Sequence, residues 1–297
     1  MTCISIASRY SWSDKNADEL RVSRLLDEQR EDALIDRIQR RDFLKLSALV
    51  PVAATGGALG VVNSAAAAPA EKAVAYQVNG KPFEGLIVYD SSVQTKRPII
   101  FMQPDWYGVN ADNIAQARLI AGKEYVVLMA DMFGAGYAAR TKARPELAAA
   151  VGAVHGDLAF TLACGKAAYD ALAGEADKLG IVDTRRKVAI GYCAGAGFLV
   201  EHARAGADYS AIVVFHITNP NPSVAGTPCN IKGRVLAVHG SADPVTPKAK
   251  MDAFADELAQ AKVDWQVMMI GGMTHELNDK NRRKAYMLMH DFFAETI

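Results

Sequence analysis

The chain has 297 residues, 51% of them hydrophobic, with 33 basic and 33 acidic side chains and a formal net charge of zero. That size and apolar content suit one large domain or two small ones with a sizeable core. The charge balance excludes the basic field of a nucleic-acid-binding protein, and it holds piecewise, because residues 1–45 carry nine basic and nine acidic side chains.

Residues 1–38 include a charged, helix-prone stretch, DELRVSRLLDEQREDALIDRIQ, with apolar residues at helical spacing (Leu20, Leu25, Leu26, Leu34, Ile35, Ile38); it is excluded from the fold. From position 39 the sequence reads QRRDFLKLSALVPVAATGGALGVVNSAAAAPAEK. Arg40 and Arg41, one spacer, then Phe43, Leu44 and Lys45 resemble the twin-arginine translocation signal, with Gln39 in place of the usual serine or threonine. The apolar stretch over 46–62 is too rich in glycine and alanine, and too short, for a membrane span, which needs about 20 strongly apolar residues. Small residues follow it, with A-x-A cleavage sites across 65–70. The resemblance implies a leader and signal over 1–68 and a mature domain over 69–297. It further implies the twin-arginine machinery as a transient partner, a periplasmic or secreted address, and no stable membrane anchor after cleavage.

Past the signal, KAVAYQVNGKPFEGLIVYD reads as two strands around Asn79-Gly80, a dipeptide suited to the positive φ angles of a tight hairpin. Short apolar runs then alternate with helical stretches. RPIIFMQ precedes a helix over 111–122, and YVVLMAD precedes a long helical region over 146–173. KVAIGY leads into a helix from 194, followed by SAIVVFH, RVLAVHG, a helix over 247–262, WQVMMIGG and a closing helix. Continuous apolar strands, each followed by a helix, predict an α/β domain with a mostly parallel sheet covered on both faces. No repeat or linker divides 69–297.

Ligands of such sheets bind at the carboxyl ends of the strands. The residues there are Asp105 and Trp106, Asp131, Cys193, His216, Asp243 and His275. G-Y-C-A-G at 191–195 fits G-x-nucleophile-x-G at a strand-to-helix junction, where glycines make room for a strained, exposed nucleophile. The following helix would direct free N–H groups at the sulfur, lowering its pKa and offering an oxyanion site. A dinucleotide-binding G-x-G-x-x-G fails, because Val200 stands where the third glycine belongs. Cys193 alone could equally be a buried thiol; His275 and Asp243 downstream tilt the reading toward a nucleophile. Asp243, before Thr246-Pro247 as a helix N-cap and first-turn proline, could also be a turn residue, and Asp131 could simply tie its own loop. The four cysteines, Cys3, Cys164, Cys193 and Cys229, sit at no metal-ligand spacing and are too few for a disulfide scaffold.

With G-Y-C-A-G, S-A-D-P-V and G-M-T-H in that order, preceded by Q-P-D-W-Y-G-V-N at 103–110, A-D-M-F-G after the next strand and G-D-L at 156–158, the chain resembles the dienelactone hydrolase family of the α/β-hydrolase superfamily. The resemblance implies an α/β-hydrolase fold and cleavage of an ester or lactone through a thioester acyl-enzyme, with no metal and no cofactor. Cys193 would be the nucleophile, His275 the general base and later acid, and Asp243 the group orienting it. The backbone N–H groups of Ala194 and Trp106 would form the oxyanion hole. Asp105 stands where family members carry a glutamate that helps activate the thiol, one methylene shorter. Trp106, Tyr107 and His216 would line the substrate cavity. Glu276 and Asp279 follow His275 where dienelactone-cleaving members place a carboxylate-binding arginine, and Arg140 or Arg144 is the candidate replacement anchor. A thiol acyltransferase or peptidase on the same fold, or a non-catalytic small-ligand-binding protein, are the alternatives.

Overall fold

Strands that are apolar at every position need cover on both faces, and the computed structural model shows what supplies it. It describes residues 69–140 and 142–297; the twin-arginine motif and the apolar stretch after it lie outside the described residues. An eight-stranded sheet runs β1 (Pro69–Val78), β2 (Lys81–Asp90), β3 (Arg97–Gln103), β4 (Val126–Met129), β5 (Val182–Tyr192), β6 (Ala211–Phe215), β7 (Arg234–Gly240) and β8 (Trp265–Ile270) in chain order. Its spatial order is β1-β2-β4-β3-β5-β6-β7-β8. The pairs β1/β2 and β2/β4 are antiparallel, and every other neighbouring pair is parallel. This is the α/β-hydrolase fold.

Burial follows the sequence pattern. The edge strand β1 alternates between exposed and covered positions, while β3, β4 and β6 are buried throughout. Asn79 and Gly80 adopt φ 49° and 76° and close the β1/β2 hairpin with Val78 paired to Lys81, as the primed two-residue turn requires. Because side chains alternate across a strand, Ile99 and Phe101 of β3 enter the core on one face and Ile100 and Met102 enter the core on the other. Helices α1 (Ala111–Ala121) and α6 (Asp279–Ala294) cover the second face through Ile120, Met289 and Phe293. Helices α3 (Leu158–Lys178), α4 (Ala194–Arg204) and α5 (Lys248–Gln260) cover the first through Leu172, Phe198 and Phe254, joined by α2 (Arg144–His155) through Val154.

Three sequence expectations are revised. The helical region over 146–173 is two helices, α2 and α3, meeting at a bend of 91°. Gly156 closes the first, and the Asp157 side chain caps the second by accepting from the Phe160 N–H at 2.9 Å. Thr246 does not cap α5. Its N–H donates to Asp243 Oδ1 (3.0 Å) and its carbonyl faces His239 Nε2 (2.9 Å), so Pro247 occupies the cap position. Strand β5 begins at Val182 rather than Lys187, with a register shift against β3 between Pro98 and Ile99; the charged D-T-R-R segment conceals that start.

One contact fastens α4 beneath the site. The buried His202 ring lies between Gln103 Nε2 (3.0 Å from Nδ1) and the Thr161 carbonyl (2.7 Å from Nε2), so the network assigns the proton to Nε2. Gly165 of α3 makes the room, because a Cβ there would sit 1.2 Å from His202 Cε1. Gly165→Ala must therefore displace the ring and break both bonds. We expect a loss of about 1–3 kcal/mol, the usual cost of overpacking, read as a fall in Tm of about 2–4 °C per kcal/mol. An unchanged Tm would mean that the ring moves aside freely.

Candidate active site

The site begins with the backbone of Cys193. At the junction of β5 and α4 it takes φ 51° and ψ −117°, a conformation that costs an ordinary residue about 1–3 kcal/mol and persists only where its surroundings enforce it. The enforcement comes from the end of β6. The Cys193 N–H donates to the Phe215 carbonyl (3.1 Å), and the Cys193 carbonyl accepts from the Thr218 N–H (3.0 Å). The glycines permit close approach on every side. A Cβ at 195 would lie 2.1 Å from the Pro104 carbonyl oxygen, one at 197 would lie 2.5 Å from that of Thr218, and one at 191 would lie 2.5 Å from the Ala196 Cα. The loop after β3, which carries Asp105 and Trp106, is thereby packed against the first turn of α4.

The ends of β7 and β8 complete the arrangement. His275 Nε2 is 3.1 Å from Cys193 Sγ, and His275 Nδ1 is 2.8 Å from Asp243 Oδ2. Asp243 Oδ1 accepts from the N–H groups of Val245 (2.7 Å) and Thr246 (3.0 Å). Gly240 allows the His275 loop to reach this turn, since a Cβ there would be 2.2 Å from the Met273 carbonyl oxygen, and the Ala242 N–H donates to that same oxygen at 3.0 Å. Burial alone would raise the Asp243 carboxyl, but the Thr246 N–H and the His275 ring outweigh it and hold it below the usual carboxylate range. An ionised Asp243 places the His275 proton on Nδ1 and leaves Nε2 to accept from the thiol.

Charge around the sulfur runs against the sequence expectation of a lowered thiol pKa. Burial first, then the Asp105 carboxylate, push Cys193 up to about 12, with Glu276 and Asp243 adding to the shift. The Ala194 N–H hydrogen-bonds the sulfur and lowers the value without prevailing. The helix terminus is therefore in place, but desolvation and negative charge dominate, and the resting thiol is neutral.

Asp105 is itself held in place. Its Oδ1 accepts from Asn113 Nδ2 (2.8 Å) and from the Tyr107 N–H (2.9 Å). Burial raises its carboxyl above the usual range, and those two bonds oppose the rise. Trp106 is half-buried and its carbonyl accepts from the Tyr137 hydroxyl at 3.0 Å. Tyr107 is exposed, edge-on to Trp106 with ring centroids 5.8 Å apart. His216 is buried beside the site, its ring 5.1 Å from that of His275 and its backbone at φ 36°. Burial, then the neighbouring His275, push its pKa down to about 3, so it is a neutral imidazole. Donor atoms of Cys193, His216 and His275 lie within 4.8 Å of one another.

Asp131 stands apart from this group. Its oxygens accept from the N–H groups of Phe133 (2.9 Å), Gly134 (3.0 Å) and Glu84 (3.2 Å), so it ties its own loop to β2. Glu276 is exposed, and Asp279 pairs with Arg282 at 2.9 Å in the first turn of α6. Arg144 is exposed at the start of α2.

Sequence reasoning passed over three residues that hold the site. His239 of β7 is fully buried, 3.3 Å from Asp243 Oδ2, and kept neutral by burial. Asn113 holds Asp105, and Tyr137 holds the Trp106 carbonyl.

A parallel-sheet hydrolase fold with a cysteine, a histidine and a carboxylate converging at its strand ends defines the class as an α/β hydrolase. The family model for the dienelactone hydrolase family matches residues 83–293, and the chain belongs to that family. Among solved structures it is similar to a dienelactone hydrolase-like promiscuous phosphotriesterase from metagenomic libraries, at 28% identity and TM-score 0.70 over 77% of this chain and 99% of that one. It is similar to m3DLH at 30% identity and TM-score 0.69 with the same coverage of each chain. An acylaminoacyl peptidase from Pyrococcus horikoshii shares the fold alone, at 12% identity and TM-score 0.58 over 77% of this chain and 42% of its own. A comparison with curated proteins found no match.

The neutral thiol predicts slow chemistry in the absence of substrate. At pH 8 iodoacetamide should alkylate Cys193 at least about tenfold more slowly than a free cysteine, whose pKa is about 8.5. Asp105→Asn removes a negative charge that disfavours the thiolate, lowers the pKa and should speed alkylation. Mass spectrometry of the modified peptide over time measures both rates, and equal rates in the wild type and the variant would contradict the assigned field.

Proposed function

We propose that the protein is an exported hydrolase of uncharged carboxylic esters or lactones, acting through Cys193, His275 and Asp243. The observation that carries this reading is the continuous hydrogen-bonded chain from sulfur to carboxylate, 3.1 Å and then 2.8 Å, across the ends of β5, β7 and β8. A base within hydrogen-bond reach of a nucleophile, itself oriented by a third group, is the arrangement that acyl transfer needs.

In this mechanism Cys193 Sγ attacks the substrate carbonyl as its proton passes to His275 Nε2. The tetrahedral oxyanion is held by the N–H groups of Ala194 and Trp106; losing one such donor typically costs about 3–4 kcal/mol. The C–O bond then breaks, His275 returns its proton to the leaving alkoxide, and a thioester remains on Cys193. Water, deprotonated by His275, attacks that thioester and restores the thiol. Asp243 stays ionised throughout and stabilises the His275 cation. His239 and the Val245 and Thr246 N–H groups keep the carboxylate in position.

Charge supports an uncharged substrate. Asp105, Glu276 and Asp243 all act on the sulfur with negative sign, and a carboxylate-bearing lactone would meet that field. Arg40 and Arg41 support export by the twin-arginine machinery, with 69–297 as the mature periplasmic or secreted domain.

Hydrolysis of a panel of neutral and carboxylate-bearing esters and lactones tests the reading. Aryl phosphotriesters belong in the panel, because one relative is a promiscuous phosphotriesterase. Cys193→Ala should lower kcat/KM by at least about 10³-fold and Asp243→Asn by about 10²–10⁴-fold. Neutral substrates should be preferred. Equal hydrolysis by the wild type and Cys193→Ala sinks the proposal, and faster transfer to added alcohols than to water would identify an acyltransferase instead. For export, the double variant Arg40→Lys with Arg41→Lys should accumulate uncleaved inside the cell, as read by fractionation and N-terminal sequencing; normal processing of that variant would refute the route.

A further inference from the structure

We propose that Cys193, His216 and His275 also form a binding site for one zinc-class divalent cation, and that the bound cation holds the nucleophile in a blocked, ligated form. In the binding step the Cys193 S–H bond breaks and its proton leaves to solvent as the sulfur–metal bond forms. His275 Nε2 and a ring nitrogen of His216 supply lone pairs, and water fills the fourth position. Nothing is oxidised or reduced.

Three observations point the same way. The three donor atoms lie within 4.8 Å of one another, with Sγ and His275 Nε2 at 3.1 Å. Donors on one tetrahedral zinc stand about 3.3–3.7 Å apart at bond lengths of about 2.0–2.3 Å, so small side-chain rotations suffice. His275 already has the form of a metal ligand, with Nδ1 on the Asp243 carboxylate and the Nε2 lone pair turned inward. That carboxylate–histidine arrangement recurs behind zinc sites.

His216 is the third observation. It is 8% exposed, its Nδ1 has no hydrogen-bond partner within the protein, and its backbone is held at φ 36°. A buried nitrogen without a partner, on a strained backbone, calls for a ligand, and the hydrolytic mechanism assigns it no step. One sulfur and two imidazoles select zinc-class ions over magnesium or calcium.

Equilibrium dialysis with Zn²⁺, and titration with Co²⁺ followed by absorption, test the site without any substrate. The purified full chain should bind one Zn²⁺, and Co²⁺ should give a thiolate-to-metal band in the near ultraviolet with visible bands of tetrahedral strength. Cys193→Ala should lose the band. His216→Asn, chosen because asparagine tolerates the left-handed backbone, should weaken Zn²⁺ binding more than about tenfold, since losing even an outer partner of a zinc ligand costs about 10–100-fold. Absence of a thiolate band in the wild-type protein overturns the proposal, as does unchanged Zn²⁺ affinity in Cys193→Ala or in folded His216→Asn. Metal binding with these signatures in a chain that cleaves no ester even after a chelator has stripped the metal would sink the hydrolytic reading alone, and hydrolysis without a cobalt–thiolate band would sink the metal site alone.

Discussion

The left-handed backbone at Cys193 is the constraint around which the domain is organised. A residue other than glycine adopts it only against a cost, and the end of β6 meets that cost with one hydrogen bond to each side of the cysteine peptide unit. Those bonds exist only where β5 and β6 lie in register, and the register in turn needs the apolar core on both faces of the sheet. Gly191, Gly195 and Gly197 belong to the same constraint. Each removes a Cβ that would strike a backbone atom of the elbow itself, of the β3 loop or of the β6 loop. The strain at Cys193 is thus a property of three strand ends taken together.

Electrostatics at the site is a division of labour between neutral and ionised groups. Burial keeps the Cys193 thiol, His216 and His239 uncharged. Asp243 is as enclosed as they are, yet stays ionised because two backbone N–H groups and a histidine face its oxygens. A buried charge persists only with such partners. Asp105 shows the intermediate case, with two donors that oppose its desolvation without cancelling it. The resting site therefore stores a proton on sulfur.

Much of this was legible in the sequence. Alternating apolar runs and helical stretches gave the parallel sheet, Asn79-Gly80 gave the hairpin, and the glycines around Cys193 marked the strand-to-helix turn. What escaped did so for physical reasons. The break between α2 and α3 depends on Gly156 and the capping Asp157 inside an otherwise unbroken apolar periodicity. Thr246 carries a capping side chain, but its backbone is committed to Asp243 and His239, and no local pattern reveals that. The thiol's raised pKa arises first from burial and then from Asp105, Glu276 and Asp243, which are distant in sequence and whose joint effect appears only in three dimensions. Asn113, Tyr137 and His239 have the ordinary look of helix, loop and strand residues until their partners are located.

The placement of Cys193, Asp243 and His275 on separate strand ends bears on how the domain acquires its site. Cys193 and His275 are 82 positions apart, and Asp243 and His275 are 32 apart. Contacts of such sequence separation carry a loop-closure entropy that must be met before they form, and sheets dominated by parallel, non-local pairings fold slowly for that reason. No contiguous fragment ending before β8 contains the hydrogen-bonded chain. The constellation exists only when β5, β6, β7 and β8 are assembled together, so its integrity reports on that whole half of the sheet and not on any one segment.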